Sequence, residues 1–515
     1  MKRVLFTCAV LMTAFSIIAQ TEFDALKFIQ PDISGTARYT SMAGAFGALG
    51  GDPSAIKDNP AGLGIYRGSE ITGSMNTVTQ NVSSRWLGNN AADGLYKFGF
   101  NNLSYVISIP TSGSSTSGAN LVRSNWAFSY NRLKDFNRNM KINGGSGSGT
   151  SITDYMAYFT GTIAGDDLFD ASGYDPYNNT SVPWLSILAA NAGLITEDAN
   201  SSYWNSLLDA GETVSPHYAL REQGYFNEYA LSWSGNFNNR LFLGATINFY
   251  DLNYSSVSEY KEAFQNGGSM SLLNTFQSTG TGLGLKLGTI YAPLDYMRIG
   301  FSLQTPVIYT VSDVHYADLK YVYPNANGTI YTPEGDNKYK FQSPLVYNVS
   351  ASFIIGTKGV VGIEYVTSNN SNSKFMDVNN SSFDYGYEND SIKVLFNNQN
   401  TLKIGGEYKL TNNFALRAGY ALSGPATSSR LAKEFIPNTI RTDVEYFIHN
   451  STDYMTAGLG YRENNWYIDV AVMKKTIYEK FYPYNANKLN SDYAIAPATV
   501  NTFNLSVVAT LGFRL

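Results

Sequence analysis

Apolar and polar residues alternate over long stretches of this chain. In the C-terminal segment 501–515, the odd positions from Phe503 to Leu515 are apolar and the even positions are small or polar, with Val508 as the exception. A period of two places successive side chains on opposite faces of a strand. Strands in soluble sandwiches usually run for roughly 5–6 residues. The length of this run therefore favours a strand with one face in lipid.

The same alternation recurs upstream and predicts fourteen strands, to within two. They lie near 69–81, 97–109, 122–143, 224–236, 241–249, 276–292, 296–311, 345–355, 359–368, 400–410, 414–422, 453–462, 466–472 and 501–515. Short connections at 110–121, 237–239, 293–295, 356–358, 411–413 and 463–465 alternate with long segments at 82–96, 144–223, 257–275, 312–343, 369–399, 423–452 and 477–499. Short turns on one side and long loops on the other are typical of outer-membrane barrels. Residues 69–515 are therefore predicted to form an all-β transmembrane barrel of about fourteen antiparallel strands in the bacterial outer membrane, with 144–223 as its largest outward loop.

The N-terminal part of the chain does not alternate. Residues 1–19 have a basic start at Lys2 and Arg3, then an apolar stretch and a small residue at Ala19, which predicts a secretory signal peptide. Residues 20–68 are rich in small residues and are predicted to fold inside the lumen as a hatch, or plug. The alternative is a disordered periplasmic tail, but apolar residues such as Ile29, Phe46 and Leu63 argue against free disorder.

The hatch segment GTARYTSMAGAFGALGGDPSAIKDNPAGL resembles the signature of the FadL/TodX family of outer-membrane transporters for long-chain fatty acids and hydrocarbons. The matching positions, with Phe46 of the same segment, are Gly35, Arg38, Met42, Gly44, Ala45, Asp52, Ser54, Ala55, Asn59, Pro60, Ala61, Gly62 and Leu63. The resemblance implies a fourteen-stranded barrel with an N-terminal hatch, and it implies passive uptake of hydrophobic small molecules. The chain departs from the usual Gly-Met-Gly-Gly-Ala pattern with Ser41 and Ala43, which leaves the substrate open.

Three further groups of residues are candidates for a role in transport. Counting from the short turns predicts an inward-facing ring of charges near the periplasmic end, made of Arg298, Glu364, Glu407, Arg417 and Asp469. These charges would either pair with Arg38, Asp52 and Asp58 and hold the hatch shut, or be hydrated by water in the lumen. Two helix-like stretches in the largest loop are predicted to pack as a lid, and the resemblance implies that they also capture ligand: Trp184, Leu185, Leu188, Trp204 and Leu207.

The third group lies in the strand predicted at 122–143. Arg132 and Lys134 continue the parity of the apolar residues Trp126, Phe128 and Tyr130. Either this part of the strand has reached the headgroups, or a bulge near Asn131 reverses the phase. The resemblance implies a kink in the third strand that opens a side exit, and Asn131 is the candidate position.

Composition and charge exclude other classes of function. The net charge is −5 and no basic face is evident, so nucleic-acid binding is not expected. The single cysteine, Cys8, lies in the predicted signal, which excludes disulfides and cysteine-ligated metals from the mature chain. Catalytic motifs are missing, and neither an enzyme, a metal nor a cofactor is predicted.

The expected partners are a hydrophobic ligand, outer-membrane lipid and the barrel-assembly machinery. A monomer fits the sequence, although the oligomeric state is left open. Two alternatives to uptake of compounds such as long-chain fatty acids also stay open. One is a carrier in protein secretion, as in FadL-fold barrels of the PorV type. The other is haem uptake through His217, His315 and His449, which lie in predicted outward loops.

Overall fold

The chain folds as a closed antiparallel barrel with a plug in its lumen. The structure is a computed structural model that describes residues 21–111, 120–199, 201–379, 385–430, 440–485 and 495–515. The predicted signal peptide lies outside these residues. The first strand pairs with the last, from Glu70 against Arg514 to Arg85 against Thr499, and this pairing closes the wall.

Fourteen strands form the wall, which confirms the predicted number. They are β1 (Glu70–Trp86), β2 (Asn89–Pro110), β3 (Leu121–Asp135 and Arg138–Asn143), β4 (Val214–Phe237), β5 (Leu241–Phe264), β6 (Ser269–Leu294), β7 (Met297–Gln304 and Ile308–Tyr323), β8 (Gly335–Gln342 and Val346–Ile355), β9 (Gly359–Asn369), β10 (Asn398–Lys409), β11 (Phe414–Ser423), β12 (Tyr446–Arg462), β13 (Trp466–Tyr482) and β14 (Ala498–Arg514). Short strands at Ala326–Tyr331 and Lys374–Met376 extend the sheet at β7 and β8.

The alternation corresponds to the two faces of the wall. In β14 the odd residues, such as Leu505, Val507 and Leu511, are exposed, whereas the even residues, such as Ser506 and Thr510, are buried. The same outward apolar rows occur on neighbouring strands and form the surface that contacts lipid. None of the helices in the described residues is long and apolar enough to cross a bilayer.

Several predicted outward loops are wrong, because they are upper parts of strands. The segment predicted as a loop at 82–96 is a hairpin that turns at Leu87–Gly88, and 257–275 turns within 265–268. Most of 312–343 also pairs as strand. Above the bilayer the outward face of a strand meets water and the apolar residues, such as Tyr260 and Leu272, face the lumen, so the outward apolar row that marks a strand ends there.

Two helices and two 3₁₀ segments place the N-terminal residues inside the barrel. They are α1 (Glu22–Ile29), α2 (Ala37–Ser41) and the 3₁₀ turns Pro53–Lys57 and Pro60–Ile65. Outside the wall, α3 (Ile152–Thr160), α4 (Trp184–Asn191) and the paired strands Ile195–Glu197 and Trp204–Ser206 form a cap, and α5 (Gly386–Leu395) lies in the 369–399 connection. The hatch and the lumen above it are therefore the part of the molecule in which a functional site is sought.

Candidate functional site

Side-chain caps hold the hatch in its fold. The Asp52 carboxylate accepts hydrogen bonds from the Ser54 N–H and the Thr36 hydroxyl, both at 2.9 Å. The Asn59 amide accepts from the Ala61 N–H at 3.1 Å and donates to the Gly47 carbonyl at 2.7 Å. Each cap starts a 3₁₀ turn whose first residue is proline, which has no N–H to leave unsatisfied. Asp52, Asn59 and Pro60 of the signature are therefore residues that fix backbone conformation.

The other signature residues pack against the wall or fill the hatch core. Met42 and Phe46 are fully buried in a cluster that includes Tyr39 and the wall residue Tyr454. Ala61 packs on Phe242 and Ile290 of the wall. A side chain on Gly35 would clash with Ser54, and its φ of +153° favours glycine.

Ala43 stands where the resemblance expects glycine, and it adopts a φ of +51°. A left-handed conformation costs a residue with a Cβ roughly 1–2 kcal/mol. The Cβ of Ala43 also lies against Gly419 of the wall. This departure from the family pattern therefore stores strain at the point where the hatch meets the barrel.

Glycines line the inner wall where the hatch backbone passes. A Cβ added to Gly362 would lie 2.3 Å from the Ala45 carbonyl oxygen, and one on Gly405 would lie 2.2 Å from the Met42 carbonyl oxygen. The same close approach to hatch atoms occurs at Gly244, Gly288, Gly300, Gly419 and Gly458. The inner face of β6 also carries glycines, and Gly280 lies against Phe28. Because glycine has no side chain, the hatch backbone can lie directly against the wall at these positions.

An ion-pair network joins the hatch to three strands of the wall. Arg38 donates to Glu407 of β10 at 2.9 Å and to the Gly51 carbonyl at 3.0 Å. Arg417 of β11 binds Glu407 and also Asp469 of β13, both at 2.6 Å. The structure thus brings together three of the five predicted ring charges with Arg38.

The other two predicted ring charges contact the hatch separately. Glu364 accepts from the Gly47 N–H at 2.7 Å, and Arg298 donates to the Leu49 carbonyl at 2.8 Å. Arg298 therefore contacts hatch backbone and makes no ion pair within the described residues. Asp52 also makes no ion pair there, and burial raises its pKa to about 6 even though Arg38 opposes this shift.

Sequence reasoning missed several lysines and arginines of the lumen. Lys403 binds Glu364 at 2.7 Å and Asp58 at 3.6 Å, so it bridges the wall and the hatch. Its position between the outward residues Leu402 and Ile404 was a usable signal. The partners of α1 and its following turn gave no such signal: Arg441 binds Asp24 at 2.7 Å, and Lys475 binds Asp32.

Helix α1 lies in the upper lumen and divides the remaining space. Asp24 anchors it through Arg441 and Lys27; burial alone would raise the pKa of this carboxyl, but the two cations lower it to about 2. Phe28 at the other end packs against Tyr309 and Phe341, with ring centroids 4.7 and 5.3 Å apart.

Two cavities lie on either side of α1. The upper cavity measures about 310 Å³ and is lined by charged and aromatic residues of α1, β3, β4 and β12. The lower cavity, about 190 Å³, lies against Phe226, Tyr250 and Tyr309 and reaches Lys286 and Lys403. Both are lined by Gln30, Pro31 and Asp32, so they are adjacent. Together they offer an aromatic and partly charged space above the hatch.

The wall is incomplete between β2 and β3. The two strands pair only from Asn102 with Asn131 to Pro110 with Arg123, although β2 continues upward to Asn89. Asn131 is thus the last paired residue, and its side chain accepts a hydrogen bond from Asn102 at 2.7 Å. Above this point the backbones of β2 and β3 are not paired with each other.

The break in β3 itself lies beyond Asn131, at Phe136–Asn137. The Asp135 carboxylate accepts from the Asn137 N–H at 2.9 Å and from its amide at 2.7 Å, a local turn that replaces strand pairing. A register shift between Arg132 and Lys134 precedes it. This shift favours the predicted bulge, because Arg132 contacts the outward Tyr130 whereas Lys134 lines the lumen.

Two side-chain ion pairs span the gap in place of backbone pairing. Lys97 of β2 binds Asp135, and Asp93 of β2 binds Lys141 at 3.2 Å. A third cavity of about 70 Å³ lies beside this gap and is lined by residues of β2, β3 and the hatch, among them Gly99, Lys134 and Ile33. This cavity therefore borders the unpaired part of the wall.

The cap buries most of the predicted capture residues. Trp184, Leu185, Leu188 and Trp204 belong to its core, and only Leu207 is exposed, at 37%. The second predicted helix is wrong, since Trp204–Ser206 is a strand paired with Ile195–Glu197. This burial favours the lid interpretation, and ligand capture stays a prediction.

The histidines do not form a common site. The prediction that they lie in loops is wrong: His217 is in β4, His315 in β7 and His449 in β12. Only His449 lines the upper cavity, whereas His315 is buried beneath Trp184. In the part of the chain that the structure describes, no cluster of His, Cys, Asp and Glu could hold a metal ion.

A closed fourteen-stranded barrel with a luminal plug is the architecture of a transport protein of the bacterial outer membrane. The family model described as outer membrane protein transport protein (OMPP1/FadL/TodX) matches residues 230–511, which is more than half of the chain. The chain belongs to this family, whose fold serves transport of hydrophobic compounds across the outer membrane.

One solved structure agrees with this assignment at the level of the fold. A Pseudomonas aeruginosa FadL homologue is 13% identical, with 94% of this chain and 99% of that chain covered and a TM-score of 0.52. The Pseudomonas putida toluene transporter TodX has the same identity and coverage and a TM-score of 0.49. A comparison with curated protein sequences gave no match.

Proposed function

We propose that this barrel takes up amphipathic hydrophobic molecules passively, with long-chain fatty acids as the model substrate. The observation that carries the proposal is the continuity of the adjacent cavities above the hatch with the gap between β2 and β3. A ligand enters beneath the cap, rests between α1 and the aromatic wall, and leaves sideways into the membrane. The hatch with its ion pairs closes the lower lumen.

Lys134 supports a ligand with an acidic headgroup. Its side chain lines both the upper cavity and the cavity beside the gap. Its ammonium group lies 5.4 Å from the centre of the Phe136 ring and makes no ion pair with any described residue. A carboxylate would neutralise this charge, and a hydrogen bond to a charged group contributes roughly 1.5–3 kcal/mol.

The test compares palmitate with hexadecanol, which has the same chain and no charge. Native mass spectrometry of the full-length barrel in detergent should show both bound. Lys134→Met should weaken palmitate binding by about tenfold or more and leave hexadecanol unchanged. Lys261→Met is the matched control, because this lysine lies on β5 with half of its side chain exposed.

Two outcomes would contradict the proposal at different levels. If Lys134→Met weakens the binding of both ligands equally, or of neither ligand, this lysine does not bind the headgroup. Failure of the unaltered protein to bind either ligand would reject hydrophobic uptake itself.

A further inference from the structure

An arginine stands on the lipid-facing side of the wall beside the gap. Arg132 directly precedes the bulge in β3, and its Nε donates to the Asn227 amide oxygen at 2.7 Å. Its Nη2 donates to the Tyr130 hydroxyl at 3.2 Å, and the guanidinium lies 5.0 Å from the centre of the Tyr225 ring. All of these partners are neutral, so the positive charge of Arg132 is held in place without an ion pair among the described residues.

The height of Arg132 can be read from the strand register. Arg132 pairs with Asn227, and Asn227 pairs with Asp251. Asn227 is ten residues above Phe237 at the periplasmic turn; at ~3.3 Å per residue and a tilt of ~45°, this distance is roughly the ~25 Å height of the apolar band. The row is therefore at the level of the outer headgroups.

The outward side chains change character at this row. Below it are apolar and aromatic residues, such as Phe128, Leu231 and Phe249, which are all about half exposed. Tyr130 and Tyr229 lie just beneath, with their tilted rings 5.4 Å apart between centroids, and tyrosine is enriched at membrane–water interfaces. The row of Arg132, Asn227 and Asp251 is the first polar one above the lipid on these strands.

The guanidinium is pre-organised for an anion. The contacts above occupy Nε and one side of Nη2, and Nη1 makes no hydrogen bond among the described residues. A planar guanidinium matches the oxygens of a phosphate, and it needs little further ordering when its stem is already fixed. The carboxylate of Asp251 stands one strand further along and is the nearest opposing charge in the row.

We propose that Arg132 binds the phosphate of an outer-leaflet lipid and so seats one lipid molecule beside the gap in the wall. The position on the outer face, at headgroup height, commits the site to a membrane lipid. Binding depends on the lipid-facing geometry alone, so it does not require that the barrel transport fatty acids. The seated lipid covers the end of the β2–β3 pairing at Asn131.

The test titrates the delipidated full-length barrel with phosphatidylglycerol and with phosphatidylcholine of the same chain length, followed by native mass spectrometry. The unaltered protein should retain phosphatidylglycerol more tightly. Arg132→Gln should weaken this retention about tenfold, Arg132→Lys should weaken it less, and Asp251→Asn should strengthen it. Arg85→Gln, an exposed outward arginine at the top of β1, is the matched control.

Competition distinguishes the sources of the anion. Excess inorganic phosphate should displace little lipid, because the acyl chains contribute to binding; full displacement would make this a free-phosphate site and overturn the proposal. If laurate displaces phosphatidylglycerol from the unaltered protein but not from Arg132→Gln, the arginine binds the headgroup of a transported ligand as it leaves, and the lipid proposal is overturned. Unchanged phosphatidylglycerol retention in Arg132→Gln, with unchanged circular dichroism, would also overturn it.

Discussion

The side chain of Arg417 connects two strands of the wall to the hatch. It binds Glu407 and Asp469 on two different strands, and Glu407 in turn binds Arg38 of the hatch. Removal of one partner of a buried ion pair typically costs roughly 3–5 kcal/mol, because the remaining charge stays buried. The hatch contact is therefore sensitive to this one residue of the wall.

Arg417→Ala should loosen the hatch and increase leakage of a small polar dye through the barrel reconstituted in liposomes. Arg240→Ala is the control, since Arg240 pairs with Asp295 on the exposed periplasmic turn, where an ion pair is worth roughly 0–1 kcal/mol. Leakage equal to that of the Arg240 variant would show that the network does not hold the hatch.

For single residues, the sequence predicts which charged side chains face the lumen better than it predicts which of them pair with each other. Strand parity placed Glu364, Glu407 and Arg417 on the inner face, and Glu364 and Arg417 are buried while the Glu407 side chain is 10% exposed. Parity cannot show which charges meet, because Asp24 and Arg441 are 417 positions apart in the chain. Such pairs depend on the closure of the barrel and on the path of the hatch.

At the scale of the strand, β10 carries two adjacent glycines with opposite surroundings. A Cβ on Gly405 would lie 2.2 Å from the Met42 carbonyl oxygen of the hatch, whereas one on Gly406 would lie 3.5 Å from the nearest atom, the Val360 carbonyl oxygen. The first clash involves backbone and cannot be relieved by a side-chain rotation. The second is an ordinary contact.

Gly405→Ala should therefore expose the hatch to limited proteolysis and lower the midpoint of thermal unfolding, while Gly406→Ala should leave both near the values of the unaltered protein. Neighbouring substitutions of the same size separate steric exclusion from any general effect of alanine on strand formation. Identical protease patterns for the two variants would mean that the hatch does not depend on this close approach.

The extent of each strand could be predicted only within the bilayer. The predicted strands at 359–368, 400–410 and 414–422 end within two residues of β9, β10 and β11. The strand predicted at 241–249 instead continues to Phe264, because above the lipid its apolar residues, such as Leu252 and Tyr260, face the lumen and the outward apolar row ends. Asn131 was a useful candidate, but the break at Phe136–Asn137 depends on the Asp135 turn, which alternation cannot reveal.

At the scale of the whole molecule, the gap between β2 and β3 is a place where side chains join neighbouring strands instead of backbone. A disulfide formed in Lys97→Cys/Asp135→Cys would replace an ion pair that spans the gap. Release of bound palmitate into vesicles should then slow at least severalfold, and reduction should restore it. Binding itself should not change, because the cavities above the hatch remain open.

Ser104→Cys/Ser129→Cys is the matched control, since these residues already face each other in the paired part of the same two strands. Its disulfide should have no effect on release. Unchanged release from the oxidised Lys97→Cys/Asp135→Cys protein would mean that ligand leaves by another route, such as past the hatch.

The short β2–β3 seam also has a mechanical consequence. Its ladder ends at Asn102 and Asn131, whereas β1 stays paired with β2 along its whole length, from Glu70 to Trp86. Under a pulling force, load concentrates where the fewest bonds share it. Extraction of the barrel by an atomic-force cantilever should thus begin with rupture between β2 and β3, and the first peak of the force trace should come from the two N-terminal strands peeling away from the remaining twelve.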